Sequence, residues 1–162
     1  MSAAAQDRRL TALTLGLFWG AVAAGLWIPG LVGIGHEVAA RGLPLAKAWR
    51  EFHLHLFAPG YNLFLVAVLN AIPFLVLAVF LLLHLGNAPA DRHAIVSRRL
   101  AGVLGAWLTA FGLSLWVHLD LTLHPDAQGA IALFFLPGLV LLSMPLGYAG
   151  GRLVAWLARR GG

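Results

Sequence analysis

The chain has 162 residues, 60% of them hydrophobic and 10% charged, with a mean hydropathy of +0.86. A soluble domain carries roughly 25% charged residues, so this composition excludes an ordinary water-soluble core and predicts a membrane protein. The net charge of +5 does not point to nucleic acid, because the basic residues form no stripe with interleaved aromatics, and the lack of cysteine excludes disulfides, thiol redox chemistry, Cys-ligated zinc and iron–sulfur clusters.

The first apolar run extends from Leu10 to Ile34. Arg8-Arg9, the following apolar residues and Ala21-Val22-Ala23 have the form of a secretory leader. The run continues to His36, too long for a leader core, so a retained membrane span is expected. Ala12, Gly16, Gly20 and Ala24 recur every four residues and mark one helix face. Small residues at this spacing let helices approach closely, which predicts a packing seam within the chain or between copies.

After Gly42, Pro44 suits the first turn of a helix. Leu45, Ala48, Trp49, Phe52 and Leu56 fall at helical spacing, with Lys47, Arg50 and Glu51 largely on another face. This pattern predicts a short amphipathic helix in the membrane interface, or else one packed on neighbouring spans.

The second run, Tyr61 to Leu85, carries Asn70 and, three residues on, Pro73. At this depth Asn70 is expected to hydrogen-bond to a neighbouring helix or to the carbonyl loosened by Pro73. Residues 87–91 then form a turn in which Asp91 could cap the next helix. The third run, Leu100 to Leu119, has a second small-residue face in Gly102, Ala106, Ala110 and Ser114. A tight connection through His124-Pro125-Asp126 leads to the fourth run, Ala130 to Tyr148, which contains Pro137 and Pro145.

Each run matches the about 20 residues needed to cross a bilayer core. The expected fold is therefore one domain over residues 1–162, all-α, with four antiparallel transmembrane helices in an up-down bundle and the interfacial helix between helices 1 and 2. Arg8, Arg9, Arg92, Arg98, Arg99, Arg152, Arg159 and Arg160 lie on one side of this topology, which the positive-inside rule assigns to the cytoplasm with both termini. Ala-, Gly-, Leu- and Arg-rich usage suggests a GC-rich bacterial genome, and the expected location is a bacterial cytoplasmic (inner) membrane.

No Asp, Glu, Lys or Arg lies in the middle of a span. Proton-coupled carriers keep such a charge for function, and small four-span multidrug exporters place a Glu in their first helix. The chain resembles neither these nor the four-span disulfide-generating enzymes, which need thiols.

On this topology five of seven His and four of six acids share the outer face: His36, Glu37, Glu51, His53, His55, His118, Asp120, His124 and Asp126. Residues 117–124 alternate strictly between apolar and polar. If extended, His118, Asp120, Thr122 and His124 share a side; if helical, His118 pairs with Thr122 and Asp120 with His124. Imidazole with carboxylate is a usual ligand set for divalent metals. The candidate metal ligands are His118, Asp120, His124, His53, His55, Glu51 and His36, without the spacing of an established motif. Haem would need His36 and His118 to face each other. The same groups could serve as an acid/base pair, or simply cluster where the chain leaves lipid.

Three functions follow as expectations. The first is contact: an accessory subunit of a membrane complex, or a self-associating or immunity-type protein, using Gly16, Gly20, Gly102, Ala106 and Asn70 to pack against a protein partner or its own copies. The second is a metal- or haem-binding protein, an enzyme or carrier, with its site at the outer face. The third is an oligomeric transporter with Asn70, Pro73 and Pro137 as moving parts.

Overall fold

A computed structural model describes residues 3–59, 62–89, 93–125 and 129–160. They form five helices: α1 (Ala3–Ala39), α2 (Leu45–His55), α3 (Leu63–Gly86), α4 (His93–Leu123) and α5 (Gly129–Arg160). No strand occurs among the described residues. Four of these helices, α1, α3, α4 and α5, are long and apolar enough to cross a membrane. Tyr61, Asp91 with its expected capping role, Arg92 and Asp126 lie outside the described residues.

The helices run beyond the apolar segments that predict them. With 37 residues, α1 is roughly 55 Å long at 1.5 Å per residue, against a hydrocarbon core of about 30 Å. Gly42 ends the turn after α1 with a φ of +66°, in the left-handed region that glycine adopts without a Cβ clash. Backbone bonds from Ala40 N to His36 O (2.9 Å) and Leu43 N to Glu37 O (3.0 Å) close that turn. The side chain of Asn62 caps α3 by accepting from Leu65 N at 2.9 Å. At the other end of α3, Arg99 donates to the carbonyls of His84 (2.9 Å) and Asn87 (3.2 Å), groups that have no intrahelical partner.

The most extensive packing is that of α1 on α3 and of α4 on α5. The α4–α5 contact is a glycine seam. A Cβ on Gly105 would collide with the Gly147 carbonyl, one on Gly147 with Thr109, and one on Gly151 with the Ala101 carbonyl. Ala101, Gly105 and Thr109 thus meet Gly147 and Gly151, each set at four-residue spacing. Further contacts gather at one end of the bundle: Gln6 with His93 (3.2 Å), Arg159 with Ser97 (3.4 Å) and His84 with Tyr148 (2.7 Å).

The two expected small-residue faces behave differently. Gly102, Ala106, Ala110 and Ser114 are all buried, and the row continues to His118. Gly102 lies under the Tyr148 ring of α5, and Ser114 meets α3. The face of α1 does not close inside the chain: Gly16 is exposed with nothing within 4 Å of a Cβ, and Gly20 has only Trp107 at 3.9 Å. Close approach on α1 occurs further along. A Cβ on Gly25 would lie 2.8 Å from Phe74 Cβ, and one on Gly30 would lie 2.7 Å from the Phe52 ring of α2.

The Phe52 contact fixes α2 against α1. Trp49 stacks on Trp27 at 6.4 Å between ring centroids, and Ala48 is buried. Leu45 and Trp49 keep large exposed surfaces.

Candidate functional site

Asn70 does not turn back toward the carbonyl loosened by Pro73. Its Nδ2 donates to Gly25 O at 2.8 Å, and its Oδ1 accepts from Ser114 Oγ at 2.6 Å. Proline at position 29 supplies no N–H to the carbonyl four residues back, which is that of Gly25. Asn70 therefore provides the donor that α1 lacks. Both ends of its amide tie helices together, which favours an anchoring role over a moving part.

From Ser114 the polar chain continues along α4. His118 Nδ1 donates to Ser114 O at 2.8 Å, and Thr122 Oγ1 donates to His118 O at 2.7 Å. Residues 117–123 are helical, so the i, i+4 pairing holds rather than the extended alternative. A carbonyl only accepts, so Nδ1 carries a proton and the neutral His118 ring presents a bare lone pair at Nε2. The residue is 4% exposed, and Nε2 is buried with no hydrogen-bond partner among the described residues. A buried unsatisfied nitrogen of this kind is uncommon and calls for an explanation.

His118 lines a cavity of about 450 Å³ at the α2 end of the bundle. Helical spacing brings a short row of residues to it from each of three helices. Pro29, Gly33 and Glu37 come from α1, Ala48, Glu51, Phe52 and His55 from α2, and His118, Leu121 and Thr122 from α4. Leu63 of α3 and Leu133 of α5 complete the apolar wall. Glu37 is held by Arg41 at 2.9 Å. Glu51 is half-buried and has no hydrogen-bonding or ionic partner among the described residues. Gly33 has nothing within 4 Å of a Cβ among the described residues, so a Cβ there would meet open space.

The expected ligand set is thereby divided. Glu51, His55 and His118 converge on the cavity, and Glu37 joins them. Asp120 and His124 pair with each other at 3.2 Å in an exposed position where an ion pair contributes little. His53 Nδ1 donates to Trp49 O at 2.8 Å. His36 does not line this cavity, although its Nδ1 is also buried without a partner. Among the described residues, no three His, Asp or Glu side chains come close enough together to hold a metal ion.

A second cavity of about 410 Å³ lies toward the Arg99 end, lined by Leu77, Phe80, Ala106, Met144 and Tyr148. Its one polar corner is already satisfied: His84 Nε2 and Tyr148 OH are 2.7 Å apart, and Phe80 stacks on His84 at 4.9 Å. The first cavity differs in that its lining includes Glu51 and His118, and neither the Glu51 carboxylate nor His118 Nε2 has a partner among the described residues.

The sequence holds signals for two features that its reading passes over. A proline inside a span points to an orphaned carbonyl four residues earlier, which links Pro29 to Gly25. Spacing by four also marks Ala101, Gly105 and Thr109 as a face of α4 distinct from the one beginning at Gly102. Comparison with family models, with curated proteins and with solved structures finds no match.

Proposed function

We propose that this chain is a polytopic membrane protein that binds a small ligand in the cavity between α1, α2 and α4. The observation that carries this reading is His118, whose buried Nε2 has no partner among the described residues and which lines a cavity that also gathers Glu37, Glu51 and His55. A volume of about 450 Å³ falls within the range of small-molecule sites, roughly 300–1,000 Å³. In this reading the four spans cross the membrane alternately, and the arginine-rich end faces the cytoplasm. The cavity then opens on the outer side of a bacterial cytoplasmic membrane, where α2 lies in the interface with Trp49 and Leu45 toward lipid.

The test is the small-molecule content of protein taken directly into lipid nanodiscs. A near-stoichiometric species should accompany the wild type and be lost from Gly33→Phe, which adds a bulky side chain at the cavity wall where a Cβ meets no neighbour. Identical content in the two proteins would remove this reading.

A second reading, contact with a partner or another copy within the bilayer, is favoured by α1. Its Ala12–Gly16 face is exposed, and a Cβ on Gly16 meets nothing within 4 Å among the described residues. Gly16→Leu should then abolish association in a cross-linking assay while leaving the monomer fold intact.

A further inference from the structure

We infer that the cavity takes an amphiphilic ammonium ion that carries at least one N–H. This inference rests on the cavity being a binding site and adds the chemical class of its ligand.

Three observations converge on that class. The first is the hydrogen-bonding sense of His118. With Nδ1 committed to Ser114 O, the neutral ring offers an acceptor at Nε2, and a donor satisfies it. A carboxylate, phosphate or carbonyl ligand would set one lone pair against another.

The second is charge. Glu37 and Glu51 line the cavity, whereas no Lys or Arg among the described residues does. Arg41 meets the charge of Glu37, but Glu51 has no cation of its own among the described residues. Next to lipid, with little water to screen it, an uncompensated carboxylate attracts a cation more strongly than it would in bulk solvent.

The third is the remainder of the wall. Ile34, Leu121 and Leu133 are aliphatic, and Phe52 offers an aromatic face. Such a surface accepts a hydrocarbon body, and the ring face favours a nearby cation. The ammonium head would donate one N–H to His118 Nε2 and place its charge near Glu51, with its apolar part against the leucines.

The decisive comparison keeps the tail constant and changes the head. Protein in nanodiscs is titrated by calorimetry with n-octylamine, octyltrimethylammonium and octanoate, each corrected for partition into empty nanodiscs. Octylamine should bind saturably. Octyltrimethylammonium, which keeps the charge but has no N–H, should bind about 10-fold more weakly or worse, as expected for a lost charge-assisted hydrogen bond. Octanoate should show no saturable binding. Glu51→Gln should weaken octylamine by about 10-fold, and His118→Phe should erase the preference over octyltrimethylammonium. Should His118→Phe fail to fold, the Glu51→Gln result and the head-group series still decide the matter.

Equal binding of all three heads, abolished by Gly33→Phe, would overturn the ammonium class and leave the cavity as a site. No saturable binding of any head, together with unchanged small-molecule content in Gly33→Phe, would remove both. Stoichiometric Zn²⁺ binding lost in Glu51→Gln, without amine binding, would replace the ammonium ion with a metal.

Discussion

Asn70 of α3 completes the backbone hydrogen bonding of α1 at Gly25, the carbonyl that Pro29 leaves without a donor. In a membrane, where water cannot substitute, such a vacancy must be filled by a neighbour. The same glycine lets Phe74 and Ala71 of α3 come close enough for the bond to form.

Asn70→Leu should therefore destabilise the fold by about 1–2 kcal/mol, the range for interhelical hydrogen bonds in membranes and their unsatisfied partners. Pro29→Ala returns an N–H to α1, so Asn70→Leu should cost measurably less in that background. Unfolding in mixed detergent for the four members of this double-mutant cycle checks the coupling. Strict additivity would show that Asn70 is not serving Gly25.

The glycine faces should separate cleanly. Gly147→Leu drives a side chain into Thr109 and the Gly105 carbonyl and should cost about 2 kcal/mol or more, as overpacking does when backbone must move. Gly16→Leu meets empty space and should leave thermal stability unchanged. Stability measured on both variants in one detergent makes the comparison.

Most of the architecture is legible in the sequence because lipid imposes a length and a polarity on every span. The four runs locate the four long helices, and Pro44 with its apolar stripe locates α2. Packing is less legible. Gly16 and Gly102 sit in equally regular stripes, yet only Gly102 is covered, because which face of a helix meets a neighbour depends on rotations that composition does not encode. The site is partly legible for a similar reason. Glu51, His55 and His118 are drawn from the expected set, while Asp120 and His124, on another side of the same helical end, pair with each other at the surface. Glu37 enters the cavity because it lies two turns after Pro29 on the same face of α1.

Docking of α2 depends on the groove that Gly30 leaves in α1 for the Phe52 ring. Gly30→Leu should lift α2 away and expose Ala48, now 1% accessible. Labelling of Ala48→Cys by a membrane-impermeant maleimide should rise about 10-fold or more in that background, a shift in opening of about 1.4 kcal/mol. Unchanged labelling would mean that other contacts hold α2 in place.

Crossing of the membrane by each span in alternation has its own test. Ala40→Cys, between α1 and α2, and Ala158→Cys, near the end of α5, should react with an impermeant reagent from opposite sides of sealed vesicles. Reaction from one side would contradict the alternating arrangement.

The pairing of successive long helices, α1 with α3 and α4 with α5, bears on biosynthesis. If the long helices cross the membrane as proposed and insert in chain order, each pair can close once its second helix is in place, without waiting for the rest of the chain. The first hairpin satisfies the Gly25 carbonyl by itself, but the oxygen of Asn70 stays without a donor until Ser114 arrives with α4. That unfilled acceptor gives the early half a polar mark in a lipid environment, directed at the segment still to be made. The last helices to be inserted thus have a defined place to dock, and the cavity wall at His118 is completed only when they do.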